Sequence, residues 1–203
     1  MSATQEAYVG GFDNPVIDAQ AVFGSVMSAL ARPGTIQPLS SNAHAPSPLN
    51  RGTAQIALTL FDADSAIYID APLRDETSVA WLKFHTGATI TEEKAVAHFA
   101  ILSGPSAMVG LDSFAQGSQE YPDRSTTLIV QVDGFDGVPR WQLTGPGING
   151  ATQMSPLAVP NTTSEVWARN NRLFPRGVDA IFAGPETLAA LPRTTRISPL
   201  GGS

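Results

Sequence analysis

The 203-residue sequence contains no cysteine and only two lysines, Lys83 and Lys94. The first absence removes disulfides, thiolate metal sites and cysteine nucleophiles from consideration. The second confines Schiff-base chemistry to two positions, and neither stands in a glycine-rich or strand-end setting that suits it. The three histidines, His44, His85 and His98, never fall at i, i+4 spacing, so no helical metal site is read. A glycine-rich phosphate loop ending in Gly-Lys-Ser/Thr is absent. No apolar run reaches about 18 residues, so no membrane span is expected. Met1 is followed by Ser-Ala-Thr-Gln-Glu, with neither a basic nor an apolar signal region. Together with the missing cysteines, this fits a cytoplasmic, reducing setting.

Basic charge is also scarce. Carboxylates outnumber Lys and Arg by 18 to 12, for a net charge of −6, which argues against nucleic-acid binding over the whole surface. The imbalance reverses near the carboxyl end. Arg169, Arg172, Arg176, Arg193 and Arg196 there face only Glu165, Asp179 and Glu186. That end is the candidate surface for an anion or an acidic partner.

What is present reads as one α/β domain over 15–203 behind a frayed arm over 1–14. Val16, Ala19, Phe23, Val26, Met27 and Leu30 recur at helical spacing after Asn14-Pro15, and Arg32-Pro33-Gly34 stops the helix. A loop over 35–48 leads to a second helix after Asn50. Strands are expected at 66–69, 99–102, 126–132 and 178–182, with a last one at 194–197. Helices are expected after Asp75, over 108–114, over 165–173 and over 186–191. The alternating stretch 140–144 pairs with 126–132 as a hairpin in this reading, and 145–160 is a long loop. Helices alternating with short strands imply a mixed sheet with flanking helices.

Gly145-Pro146-Gly147-Ile148-Asn149-Gly150 matches the dinucleotide fingerprint, and Glu165 lies 20 residues on. Pro156 and Pro160 break the helix that such a motif needs, so a glycine-rich turn is the better reading. His85, in Phe84-His85-Thr86-Gly87, ends a helix where an imidazole can reach a cleft. Arg193, in Leu191-Pro192-Arg193-Thr194-Thr195-Arg196, offers a planar fork for phosphate or carboxylate. It either holds an anion or locks the structure through a carboxylate such as Asp179. A stand-alone enzyme would place His85 and Arg193 in one cleft, around a phosphorylated small molecule. No nucleophile, base and orienting group are legible as a set.

Several strings, in order along the chain, resemble the PhnH family of phosphonate metabolism. They are Pro15-Val16 through Gln20 with Phe23, Ala31-Arg32-Pro33-Gly34, Pro48-Leu49-Asn50, Leu58-Thr59-Leu60, Phe84-His85-Thr86, Leu143-Thr144-Gly145-Pro146-Gly147-Ile148, Leu173-Phe174-Pro175 with Gly177-Val178-Asp179, and Leu191-Pro192-Arg193-Thr194-Thr195. The resemblance implies a fold similar to the large domain of PLP-dependent transferases, but without PLP or another cofactor and without a metal. It implies a homodimer that joins the G, I and J subunits of the carbon–phosphorus lyase core. That core converts ATP and an alkylphosphonate to a ribose 1-phosphonate 5-triphosphate. Arg32, His85, Thr86, Asp179 and Arg193 fall in the family's strings as candidate ligand or interface residues, and no residue is assigned to catalysis.

Overall fold

A computed structural model describes residues 9–200. A seven-stranded sheet runs through its middle, in the order β2-β11-β10-β7-β6-β4-β5. The strands are Gln37–Pro38 (β2), Ala66–Ile69 (β4), Thr89–Thr91 (β5), Phe99–Leu102 (β6), Thr127–Gln131 (β7), Asp179–Ala183 (β10) and Thr187–Leu191 (β11). Strands β4, β5, β6, β7 and β10 are mutually parallel. Strand β11 lies antiparallel to both β10 and β2. A three-stranded antiparallel sheet is built from Trp141–Thr144 (β8), Thr152–Met154 (β9) and Arg196–Pro199 (β12). A two-residue ribbon pairs Gly11–Phe12 (β1) with Ala43–His44 (β3).

Strand alternation divides the core in two. Ile101, Ile129, Ile181, Ala183, Leu188 and Ala190 face one side. There they meet the helices Pro15–Ala31 (α1), Arg51–Leu60 (α2) and Glu76–Thr86 (α3). Their sequence neighbours Leu102, Leu128, Val130, Phe182, Ala189 and Leu191 face the other side. That side is covered by the helix Thr163–Asn171 (α4), the 3-10 segment Pro105–Ser113 and the small sheet. A strand buried on both faces must be apolar throughout, which is why 127–131 and 179–183 show no polar alternation.

The same rule explains where the sequence reading fails. β7 does not form a hairpin with β8. As a strand buried on both faces it pairs in parallel with β6 and β10. The half-exposed β8 finds its partners in β9 and β12. Residues 187–191 are helix formers by propensity, yet they form β11. Gly184 N donates to Thr187 O at 2.9 Å, closing a tight turn, and pairing with β10 overrides the propensity. The expected loops over 35–48 and 145–160 carry the short strands β2, β3 and β9. The segment 108–114 is 3-10 rather than α-helical. Of the expected arm, residues 1–8 lie outside the described residues. Residues 11–12 pair with β3, and Trp81 Nε1 donates to Val9 O at 3.1 Å.

On α1 the expected stripe is only half right. Val26 is buried and Ala19 and Leu30 are partly so, whereas Val16, Phe23 and Met27 are 79, 50 and 48% exposed; the buried face is completed by Val22 and Ala29, outside the expected stripe. Apolar residues occupy most of this helix's circumference, so periodicity alone does not choose the buried face.

α2 enters the structure through Asn50. Its Oδ1 accepts from Thr53 N at 2.7 Å, capping the helix. Its Nδ2 donates to Ala183 O (2.9 Å) and Val132 O (3.3 Å), at the carboxyl ends of β10 and β7. Gln131 returns the grip: its Oε1 accepts from Asn50 N at 2.8 Å, and its Nε2 donates to Pro48 O at 3.0 Å. A Cβ on Gly52 would lie 1.9 Å from Gly184 O, so only glycine lets α2 approach this edge. Asn50→Ala removes the cap and the amide donor to Val132 O and Ala183 O, of which Ala183 O keeps the Val132 N–H. It should lower unfolding free energy by about 2 kcal/mol in urea titrations, without a change in far-ultraviolet circular dichroism.

Candidate functional site

Arg193 follows β11 and Asp179 opens β10, so the antiparallel pairing of these strands sets the two residues side by side. Arg193 Nε donates to Asp179 Oδ1 (3.1 Å) and Oδ2 (3.2 Å), and Nη2 donates to Oδ2 at 2.5 Å. The same carboxylate accepts the Arg193 backbone N–H at 2.7 Å. Nη2 also donates to Ser125 Oγ at 2.6 Å, and Nη1 to Pro122 O (2.8 Å) and Pro175 O (3.3 Å). The five guanidinium N–H groups are thereby all engaged, and the pair is only 13 and 23% exposed. No donor remains for a ligand, so the geometry is that of a lock.

Three of the strings that carry the family resemblance, 31–34, 143–148 and 191–195, meet beside this lock. A Cβ on Gly147 would lie 2.2 Å from Ala31 O, and one on Gly145 would lie 3.0 Å from Thr194 O. Gly147 also has φ +81°, so the Gly145-Pro146-Gly147 turn needs glycine for its backbone and for its closeness to 31–34. From α4, Asn171 Nδ2 donates to Arg193 O (2.8 Å) and Trp167 Nε1 to Thr195 O (2.9 Å). Asn170 closes a reciprocal pair with the Val178 N–H and C=O, at 2.9 and 2.8 Å. The sequence match to a dinucleotide fingerprint is therefore a packed turn. Ile148 N bonds back to Gly145 O, and no helix follows directly.

The other sequence candidates stand elsewhere. Arg32 is exposed at the end of α1, where its carbonyl accepts from Thr35 N and Oγ1. Its guanidinium makes no hydrogen bond or ion pair among the described residues. Thr86 donates to Leu82 O (2.6 Å) and accepts from Ala88 N (3.1 Å), finishing α3 before the left-handed Gly87. His85 packs between the Trp81 and Phe84 rings, at centroid distances of 4.8 and 5.0 Å. Its Nε2 is buried without a partner among the described residues. Burial pushes its pKa below the ordinary 6.5, and a hydrogen bond to the Val9 backbone only partly opposes this. His85 and Arg193 do not share a cleft. α3 leads into β5, and three strands separate β5 from β10, a span on the order of 20 Å.

The sequence reading also missed the carboxyl edge of the sheet. The chain leaves β4 towards β5 on one side and leaves β6 towards β7 on the other, so β4 and β6 flank the switch point where α/β ligands bind. Asp70 follows β4 and Ser103 follows β6. The Asp70 carboxylate accepts from Ser103 N (3.2 Å), from Ser103 Oγ and from Ala71 N (3.2 Å). A serine nucleophile needs a base that a third group orients, and no such group joins this pair among the described residues. The signal for the site is topological, so no local string announces it. Two surface cavities of about 480 Å³ are lined by Arg140, Trp141, Asn161 and Ser164, and by His98, Asp123 and Arg124. None of the five sequence candidates borders either one. No group of three or more His, Asp or Glu able to hold a metal occurs among the described residues.

A family model described as bacterial phosphonate metabolism protein (PhnH) matches residues 10–198. The chain belongs to the PhnH family. Among relatives of this PhnH chain, the alpha-D-ribose 1-methylphosphonate 5-triphosphate synthase subunit PhnH of Rhizobium meliloti (strain 1021) is 41% identical over 197 residues, covering 97% of this chain and 98% of the relative. A Stutzerimonas stutzeri protein named "Putative C-P lyase subunit protein HtxG" is 28% identical over 179 residues, covering 88 and 85%.

Two expectations follow. Arg193→Lys keeps the charge but loses the fork, so thermal and urea unfolding should show a loss of about 2–3 kcal/mol; Arg32→Lys, at an unpaired exposed site, should stay within about 0.5 kcal/mol. His85 is held neutral in the fold. Its contribution is therefore complete above the ordinary pKa of 6.5 and is lost as pH falls below that value towards the lowered one. His85→Gln, which cannot titrate, should flatten the decline in urea midpoint measured between about pH 7 and pH 5.

Proposed function

We propose that this chain is a non-PLP subunit of a carbon–phosphorus lyase core, supporting formation of ribose 1-phosphonate 5-triphosphate from ATP and an alkylphosphonate. The observation that carries the reading is 41% identity, over nearly the full length of both chains, to a subunit named for that synthase. The geometry agrees with a subunit role. Asp179, Arg193 and Thr86 are spent on internal bonds, and Asp70 with Ser103 forms a brace. The partners in this reading are the G, I and J subunits and a second copy of the chain. No helix among the described residues is long and apolar enough to cross a membrane.

We also infer kinship with the large domain of PLP-dependent transferases. A seven-stranded, largely parallel sheet with one antiparallel strand, β11, supports it. The residues do not fit PLP itself. Lys83 is exposed in the last turn of α3. The Lys94 ammonium lies 5.1 Å from the centres of the Tyr68 and Phe114 rings, in the segment that enters β6. Neither amine stands at the carboxyl edge of the parallel strands.

Affinity purification of the tagged chain from its native host, grown on methylphosphonate, tests the subunit reading. The G, I and J subunits should co-purify, and deleting the chain should abolish growth on methylphosphonate but not on phosphate. Recovery of the chain without any of these partners, or undiminished growth, would overturn it.

A further inference from the structure

A cavity of about 480 Å³ opens where the start of β8, the end of β12 and the start of α4 come together. Small-molecule sites occupy roughly 300–1,000 Å³. The walls are apolar and stiff: Val138, Val159, Leu200 and three prolines, Pro139, Pro160 and Pro199. Among the described residues that line it, Arg140 alone is ionisable. The other cavity of this size differs. Asp123 stands there beside Arg124, whose guanidinium already lies over the Tyr121 ring at 4.2 Å.

Arg140 is arranged in the opposite sense to Arg193. Its backbone is fixed, for its carbonyl accepts from Leu200 N at 2.8 Å. Nη1 donates to Asn161 Oδ1 (3.3 Å) and to Val159 O (3.5 Å). Nε and Nη2 have no partner among the described residues. That leaves open the edge of the fork that takes an oxyanion in two parallel bonds. Asn161 adds to it. Its backbone oxygen accepts from Ser164 Oγ at 3.3 Å, and its side-chain oxygen accepts from Arg140. The amide Nδ2 keeps two N–H groups with no partner among the described residues. The unengaged nitrogens at this cavity are all donors, and no carboxylate lines it to compete for them.

We propose that the cavity binds a small organic oxyanion, a carboxylate or phosphonate head on an apolar body. The head sits on Arg140 and Asn161, and the body lies against the valine, leucine and proline walls. One guanidinium suits one anionic head. A nucleoside triphosphate needs several cations or a cradle of backbone N–H groups, and the lining supplies neither a second cation nor a glycine. The Ser164 hydroxyl is already spent on Asn161, so the walls reward an apolar substituent and offer a sugar's hydroxyls little to bond. None of the strings that carry the family resemblance contains Arg140, Asn161 or Ser164, so the inference stands apart from the subunit reading.

Titration of the full-length chain with phenylphosphonate and with benzoate, followed by amide chemical shifts, tests it. Shifts should cluster on Arg140, Asn161 and Ser164, and the head that binds more tightly names the class. Inorganic phosphate, a head without a body, and benzamide, a body without charge, should each bind at least about tenfold more weakly. Arg140→Gln, and Asn161→Asp, which sets a carboxylate against the fork, should each weaken binding of the preferred probe by about tenfold or more, with circular dichroism retained. Arg74→Gln removes the same charge from an exposed pair with Glu92 and should leave binding unchanged. Absence of localised shifts with both probes at about 10 mM overturns the inference. So does phosphate or benzamide that binds as tightly as the probes, unchanged binding in the folded Arg140 and Asn161 variants, or an equal loss in Arg74→Gln. Co-purification with the G, I and J subunits is untouched by any of these results, so the site and the subunit reading can fail separately.

Discussion

A single guanidinium–carboxylate pair ties together segments that the chain supplies from four places. Arg193 reaches Asp179 at the start of β10, Ser125 and Pro122 ahead of β7, and Pro175 in the turn after α4. A largely buried ion pair gains little over an apolar contact unless its remaining donors and acceptors are satisfied. Here the arginine's donors all are, and the carboxylate also takes the arginine's own backbone N–H. Loss of either partner would leave a charge at low exposure with no compensation. That dependence explains why lysine, with one point charge and no planar fork, is a poor substitute.

The opposite edge of the sheet is closed by a neutral counterpart. Gln131 accepts from Asn50 N and donates to Pro48 O, and the Asn50 amide donates to Ala183 O, at the carboxyl ends of β7 and β10, just where an α/β enzyme would open a ligand crevice. Asp70 and Ser103 bridge the neighbouring switch point. Both edges are thus occupied by the chain's own side chains. A protein built this way is suited to hold a shape for partners, and an apolar helix face left outside its core accords with that role.

The site was legible in parts. Arg193 in its Pro-Arg-Thr-Thr string and Asp179 in an expected strand are both visible in the sequence, and a lock between them is one of the two roles that arginine chemistry allows. What decided between the roles was the count of satisfied donors, which depends on carbonyls 18 and 71 residues away in the chain. His85 was visible as a lone imidazole at a helix end. Its burial between two rings, beneath a strand that seemed a frayed arm, was not. Asp70 and Ser103 gave no sign at all, because their meeting follows from strand order.

By itself the sequence determined the α/β class with its mixed sheet, the helix starts after Asn50 and Asp75, and the absence of thiol and phosphate-loop chemistry. These follow from local rules: apolar runs, side-chain capping oxygens and the presence or absence of residue types. The tertiary structure decided which face of α1 is buried, that 187–191 is a strand, and that 141–144 pairs with 152–154 and 196–199 rather than with 127–131. Each of these turns on which partner buries the most apolar surface while leaving no backbone group unpaired. That competition is settled among segments distant in sequence, and no local pattern records its outcome.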